Sequence, residues 1–236
     1  KPLKCKNDFD PSNIFVLYNY LTKNTFFKSL SPIYFTDKIA KTKEKDKIVF
    51  SVFGWVMEEC RNYELLFNTF KKLLKNNIDN FEIYVVGIYD KSYYHNNKNK
   101  YGKKLYNKYS KYKNIHFTGR ASNNDMYDIC LKTDYVLFLL DQNSVMHLQY
   151  IFNKASGTIG LTLGFNMIPI IEKYFAEFYN FNENNAIIYE GDNLYDAMHK
   201  AITMPNKKRE ELEKSLLSLQ KDLINKSTKN LSNALK

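Results

Sequence analysis

From residue 48 onward, short apolar runs alternate with longer amphipathic stretches. Ile48-Val-Phe-Ser-Val-Phe53 is a β-branched and aromatic run closed by Gly54, which predicts a buried strand. From Arg61 to Lys75, Leu65, Leu66, Phe70, Leu73 and Leu74 recur at helical spacing. Phe81 to Val86, closed by Gly87, repeats the strand pattern, and a polar, tyrosine-rich insert at 89–100 and a helix near 101–112 follow it. Asn114 to Gly119 predicts a third strand, Asp125 to Lys132 a helix, and Tyr135 to Leu140 a fourth strand. Ile168 to Ile171 and Ala186 to Glu190 complete the set, with a short helix between them. Before residue 48 the pattern gives one strand, Ile14 to Tyr18, and a Lys-rich linker ending at Lys41 to Lys47. After it, Asn206 to Ile224 carries Leu212, Leu216, Leu219 and Leu223 on one stripe, an amphipathic helix that packs back across the domain.

Near-continuous apolar strands separated by helical patterns predict a parallel sheet covered on both faces, hence an α/β fold. Right-handed crossovers make it a doubly wound, Rossmann-like sheet of six strands, whose ligands bind beyond the carboxyl ends of the strands at the switch point. Gly54, Gly87 and Gly119 stand at such ends.

The stretch from Asn153 to Ile171 runs from a small-residue loop into a short apolar helix and then a strand that begins around Pro169. Ser156, Gly157 and Thr158 would open that helix, with backbone N–H groups exposed where the helix dipole is positive, so a phosphate or diphosphate suits the position. The plainer alternative is an ordinary N-cap and core helix in which Gly157, Gly160 and Gly164 allow close packing.

Composition narrows the class. With 236 residues and 44% hydrophobic content the chain is a soluble globular protein with one large core or two small ones. Its longest clean apolar run, Tyr135 to Leu140, is far too short to span a membrane, and the first residues lack the apolar core of a signal peptide. Cys5, Cys60 and Cys130 suit neither a disulfide framework nor a zinc site and read as reduced thiols of a cytoplasmic chain. The four histidines are never at metal-ligand spacing, and no metal is expected. The net charge of +10 is nearly all lysine, with arginines only at 61, 120 and 209. Because arginine is the residue for bidentate phosphate contacts, Arg61 and Arg120 are the informative cations.

The order of these elements and the spelling of four of them resemble the carboxyl-terminal, donor-binding domain of GT-B glycosyltransferases, closest to the retaining group with the E-x7-E motif. The resemblance covers roughly 47–204. It rests on Gly54 closing the first strand with Arg61 ahead of the next helix, on Phe117-Thr-Gly119 before a helix, on Lys132-Thr-Asp-Tyr-Val-Leu137, and on the helix leading to Pro169. Counted back from Pro169, the motif glutamates fall at Lys154 and Thr162 and its internal glycine at Gly157, so both acidic positions depart from the family. Trp55 stands where the family has an arginine after the first glycine; stacking on a base and filling the interdomain face are both open to it.

The resemblance implies a glycosyltransferase with a nucleotide-diphosphate sugar as donor, a glycan, lipid-linked or protein acceptor, and a metal-independent mechanism. The donor-binding residues would be Gly54, Arg61, Gly119, Arg120, Asn153, Lys154, Ser156, Gly157, Thr158 and Thr162. Thr162 would meet the ribose, Lys154 the diphosphate or an acidic sugar, and His147 and Asn153 lie in the loop before the helix. Residues 1–46 would be the tail of an amino-terminal acceptor domain plus linker, 47–204 the nucleotide-sugar-binding domain, and 205–236 a helix and tail. Two other classes stay open. One is a noncatalytic nucleotide-binding or regulatory domain, as the missing glutamates suggest. The other is a basic polyanion- or membrane-surface-binding module, cytoplasmic or at a membrane surface, which rests on the lysines alone; nucleic acid is the less expected partner.

Overall fold

The computed structural model describes residues 15–22, 28–34, 47–91 and 99–234. Cys5, His95, most of the expected linker, most of the tyrosine-rich insert and the start of the first expected strand lie outside the described residues.

The main sheet has six parallel strands: β3 (Ile48–Phe53), β4 (Phe81–Val86), β5 (Ile115–Phe117), β6 (Tyr135–Leu137), β7 (Ile168–Glu172) and β8 (Ile187–Tyr189). Their order is β5-β4-β3-β6-β7-β8. The chain winds outward from β3 in one direction and, after β5, returns to place β6 on the other side of β3, so the switch point lies between β3 and β6. Register follows the apolar pattern: Phe50 pairs with Ile83 on one side and Tyr135 on the other. Asp134 fixes the central pair from its end by accepting the Val49 N–H at 2.8 Å.

Helices cover both faces. α1 (Tyr63–Lys75), α2 (Lys100–Tyr109) and α6 (Leu194–Thr203) bury Leu66, Phe70, Tyr109 and Met198 with Phe50, Val52 and Ile83. On the other face α3 (Asn123–Lys132), α4 (Gly157–Gly164) and α5 (Lys173–Phe178) pack Cys130, Leu161 and Phe175 against Phe53, Val136 and Ile171. α1 starts where Asn62 accepts the Leu65 N–H, and α3 starts with a capping box between Ser122 and Asp125. α7 (Asn206–Ala234) crosses between the layers, with Leu212 in one core and Leu216 in the other.

Several boundaries differ from the sequence expectation for identifiable reasons. The fourth strand pairs only to Leu137, because Leu139 turns to φ +49° and its carbonyl accepts the N–H of Asn62 at the start of α1. The last helix runs ten residues past its expected end at Ile224, to Ala234. There Ser227 accepts the Ser31 N–H and the Asn230 amide donates to the Ser29 carbonyl. Those contacts reach a second, two-stranded parallel sheet of β1 (Phe15–Leu17) and β2 (Lys28–Leu30), of which β2 carries no apolar alternation. A π-helical turn at Gln149–Asn153, likewise not expected, precedes α4. Among the described residues no helix is long and apolar enough to cross a membrane.

Candidate functional site

The switch point between β3 and β6 opens into a cleft. Gly54 follows β3 with φ +121°, a conformation that favours glycine, and turns the chain out of the sheet. The loop returns at Arg61, immediately before α1, and buries its side chain to 6% exposure. One guanidinium nitrogen, Nη1, donates to the Cys60 carbonyl at 2.8 Å. The other, Nη2, lies 3.5 Å from the Phe53 carbonyl and from Thr158 Oγ1. The Tyr150 ring lies 5.2 Å from the guanidinium carbon. Nε has no partner, and no carboxylate among the described residues forms an ion pair with Arg61.

Facing it is the start of α4. Ser156 is the N-cap residue, yet its side chain makes no capping bond, and its N–H donates to the Tyr20 hydroxyl at 3.1 Å. The N–H groups of Gly157 and Thr158 make no bond within the described residues and stand at the positive end of the helix dipole. A Cβ on Gly157 would meet nothing nearer than the Tyr34 hydroxyl, at 3.8 Å. At Gly164 the same atom would sit 1.7 Å from the Tyr34 carbonyl oxygen, and at Gly160 2.6 Å from that of Pro32. The last two glycines therefore serve close packing, as the plainer alternative had it, and Gly157 does not.

The resulting cavity has a volume of about 390 Å³. Arg61 and Lys154 line it together with Gly54, Ser156, Gly157 and Thr158, and no lining residue is a carboxylate. Trp55, Tyr34, Tyr127 and Tyr150 supply aromatic walls. Lys154 Nζ lies 5.1 Å from the Tyr150 ring, so that one ring borders both cations. Burial raises the Tyr150 hydroxyl above its ordinary pKa, and the positive charge of Arg61 works the other way. Burial also pushes Tyr20 up to about 12, with the N–H of Ser156 opposing the shift. Both tyrosines are neutral hydrogen-bonding groups at physiological pH. Among the described residues no group of three or more His, Cys, Asp or Glu is arranged to hold a metal ion.

Four expected site residues stand outside this cavity. Thr162 is fully buried, and its hydroxyl donates to the Thr158 carbonyl at 2.7 Å, within its own helix. Arg120 is exposed in the loop after β5, and with Gly119 it stands two strands away from β3. Asn153 is exposed at the end of the π-helical turn, and the His147 ring bonds the Ser144 carbonyl at 2.8 Å. Sequence reasoning missed Tyr20, Tyr34 and Tyr150, which lie in polar or irregular stretches with no periodic signal to mark them, and Tyr127, which stands in the expected helix α3 with nothing in its spelling to set it apart.

No protein-family model matches the chain, and no curated protein sequence does. Solved structures do. The carboxyl-terminal domain of a glycosyl transferase group 1 family protein, LpcC from Francisella tularensis, superposes with a TM-score of 0.53 at 14% identity, over 82% of this chain and 94% of that one. The Anabaena protein HepE in complex with UDP-glucose gives 0.62 at 10% identity, over 88% of this chain and 57% of HepE. TarM gives 0.57 at 15% identity, over 95% of this chain and 43% of TarM. The chain thus spans the separate carboxyl-terminal domain almost entirely and about half of the two longer proteins. A six-stranded parallel sheet wound both ways from a central strand is the fold this chain shares with the carboxyl-terminal Rossmann-like domains of GT-B glycosyltransferases.

Proposed function

We propose that this chain is the donor-binding part of a glycosyltransferase, holding a nucleotide-diphosphate sugar in the cleft between β3 and α4. The observation that carries the reading is Arg61. A buried cation without a counter-ion is costly, so a protein that keeps one beside unpaired helix N–H groups is built to receive an anion there. The cavity adds a second cation, Lys154, and no carboxylate that would repel a diphosphate.

In this reading the amides of Gly157 and Thr158 and the guanidinium of Arg61 bind the diphosphate, and Lys154 takes a further oxygen. As the bond from the sugar to the diphosphate breaks, negative charge grows on the leaving phosphate. Donors already fixed in a partly dry cleft stabilise that charge more than they stabilise the bound donor. Protein cations do this work in place of a metal. An acceptor (glycan, lipid-linked or protein) would approach from the open side of the cleft.

A thermal-shift comparison tests the reading. At about one hundred times its dissociation constant, UDP, GDP or ADP should raise the melting temperature by roughly 5–10 °C, and the matching monophosphate by clearly less. No shift with any of the three diphosphates would overturn it.

One observation favours a second reading, a nucleotide-binding domain without transferase activity. Lys154 replaces the glutamate that resemblance assigns to the sugar, and Thr162 turns its hydroxyl into its own helix. Diphosphate binding with no release of sugar from UDP-glucose or other nucleotide sugars, even by the full-length protein with candidate acceptors, would decide for it.

A further inference from the structure

The backbone of the loop entering α4 is held by a side chain from outside the six-stranded sheet. Tyr20 lies in a single 3-10 turn, Asn19–Thr22, between β1 and β2. Its ring is buried, stacked on Tyr18 with centroids 5.7 Å apart and tilted against Tyr179 at 4.8 Å. Its hydroxyl makes two bonds to one short stretch: it donates to the Lys154 carbonyl at 2.9 Å and accepts the Ser156 N–H at 3.1 Å. Lys154 and Ser156 are both extended, with φ/ψ of −124°/118° and −86°/111°, and the helix begins at the next residue, Gly157.

The two bonds have separate consequences at the cleft. A Lys154 carbonyl left without a donor would be a partial negative charge beside an anion site, and the hydroxyl quenches it. Holding the Ser156 N–H keeps the N-cap residue extended, so the next two amides point out along the helix end. The support continues toward the cations: Tyr179, which packs on Tyr20, donates to the Tyr150 carbonyl at 2.9 Å, and the Tyr150 ring borders both Arg61 and Lys154.

We infer that Tyr20 is a positioning residue of the anion site, whose hydroxyl sets the 154–156 backbone so that the amides of Gly157 and Thr158 and the Lys154 side chain face one phosphate group. The inference rests on the donor-site reading above. It makes Tyr20, in the segment before the Rossmann-like sheet, part of the site without giving that side chain any contact to the ligand.

Tyr20→Phe, which keeps the ring, is compared with Tyr18→Phe, which removes a hydroxyl that bonds the Pro32 carbonyl and sits against the Gly160 backbone inside α4, and that makes no bond to the 154–156 loop. Calorimetric titration of the whole chain, normalised to the folded fraction, uses whichever of UDP, GDP and ADP binds the parent best, and its monophosphate. For Tyr20→Phe, diphosphate affinity should fall about tenfold and the diphosphate-over-monophosphate ratio should shrink, whereas Tyr18→Phe should hold both. Diphosphate affinity of Tyr20→Phe within twofold of the parent, or an equal loss in Tyr18→Phe, overturns the inference. If Arg61→Ala abolishes binding in that same case, the donor site itself stands. If the parent binds none of the three, the donor site falls and the inference with it. Hydrogen exchange on the parent gives a check that needs no variant to fold: the Ser156 amide should exchange slowly and that of Gly157 fast until the diphosphate is added. Equal, fast exchange at both would mean that the clamp is not formed.

Discussion

Arg61 and Thr158 meet across the switch point of the sheet, the guanidinium Nη2 3.5 Å from the threonine Oγ1. One comes from the loop after the first strand of the sheet, the other from the first turn of the helix that precedes β7, so their contact joins the two halves of the fold. What the contact leaves over, an unpaired Nε and two unpaired amides, is the basis of the functional reading.

Replacing Arg61 by methionine separates stability from binding. Removing a buried charge that has no counter-ion should leave the melting temperature within a few degrees of the parent or raise it, since apolar replacements of buried charges are often neutral or stabilising. The diphosphate-induced thermal shift should disappear. A variant that loses several kcal/mol of stability by urea unfolding and still binds UDP would make Arg61 a structural residue.

Gly157 and Gly164 belong to one helix and should behave oppositely. At Gly157 an added methyl group has ordinary contact distances within the protein, so Gly157→Ala should keep its stability while losing most diphosphate affinity. At Gly164 the methyl group would overlap the Tyr34 carbonyl, and Gly164→Ala should cost about 1–3 kcal/mol or more through overpacking. Paired urea unfolding and nucleotide titration check both, and a destabilised Gly157→Ala with normal affinity would remove the helix terminus from the site.

Arg120 is exposed and outside the cavity lining, so Arg120→Ala should change diphosphate affinity by less than about twofold, the range of a surface charge. A loss comparable with that from Arg61→Ala would show that the loop after β5 reaches the ligand in the bound state.

Alkaline pH should unfold the protein steeply. Burial raises the hydroxyls of Tyr18, Tyr63, Tyr135, Tyr150, Tyr179 and Tyr189 above the ordinary value of 10.0, and pushes Tyr20 and Tyr101 up to about 12. The unfolded chain releases these protons from pH 10 upward while the folded chain keeps them. The stability they contribute is complete below pH 10 and is lost as pH rises through the folded values, by at most about 1.4 kcal/mol per pH unit for each fully buried group and by less for the half-buried Tyr101. Tyrosinate absorbance followed with circular dichroism should show exposed tyrosines titrating first and the buried set only on unfolding. A single titration near pH 10 with the structure intact would contradict this.

By itself the sequence determined the six strands, their order along the chain and the α/β class, because Ile48 to Phe53, Phe81 to Val86 and Ile168 to Ile171 are apolar runs and the helices between them carry their own period. It also determined that a helix opens around Gly157, a fact of local spelling, whereas the helical pattern from Arg61 begins two residues ahead of α1. Only the tertiary structure decided which of these residues share a cavity. The resemblance puts Thr162 at a ribose-facing position, yet in the folded helix its hydroxyl closes on Thr158, four residues back, in a buried layer. Tyr20 reaches Ser156 across 136 residues of sequence, and nothing near Tyr20 in the chain marks it for that contact. Periodicity reports what each segment does with its own neighbours. The cleft is made by segments that become neighbours only when the sheet winds both ways from β3, so its lining follows from packing and not from any local pattern.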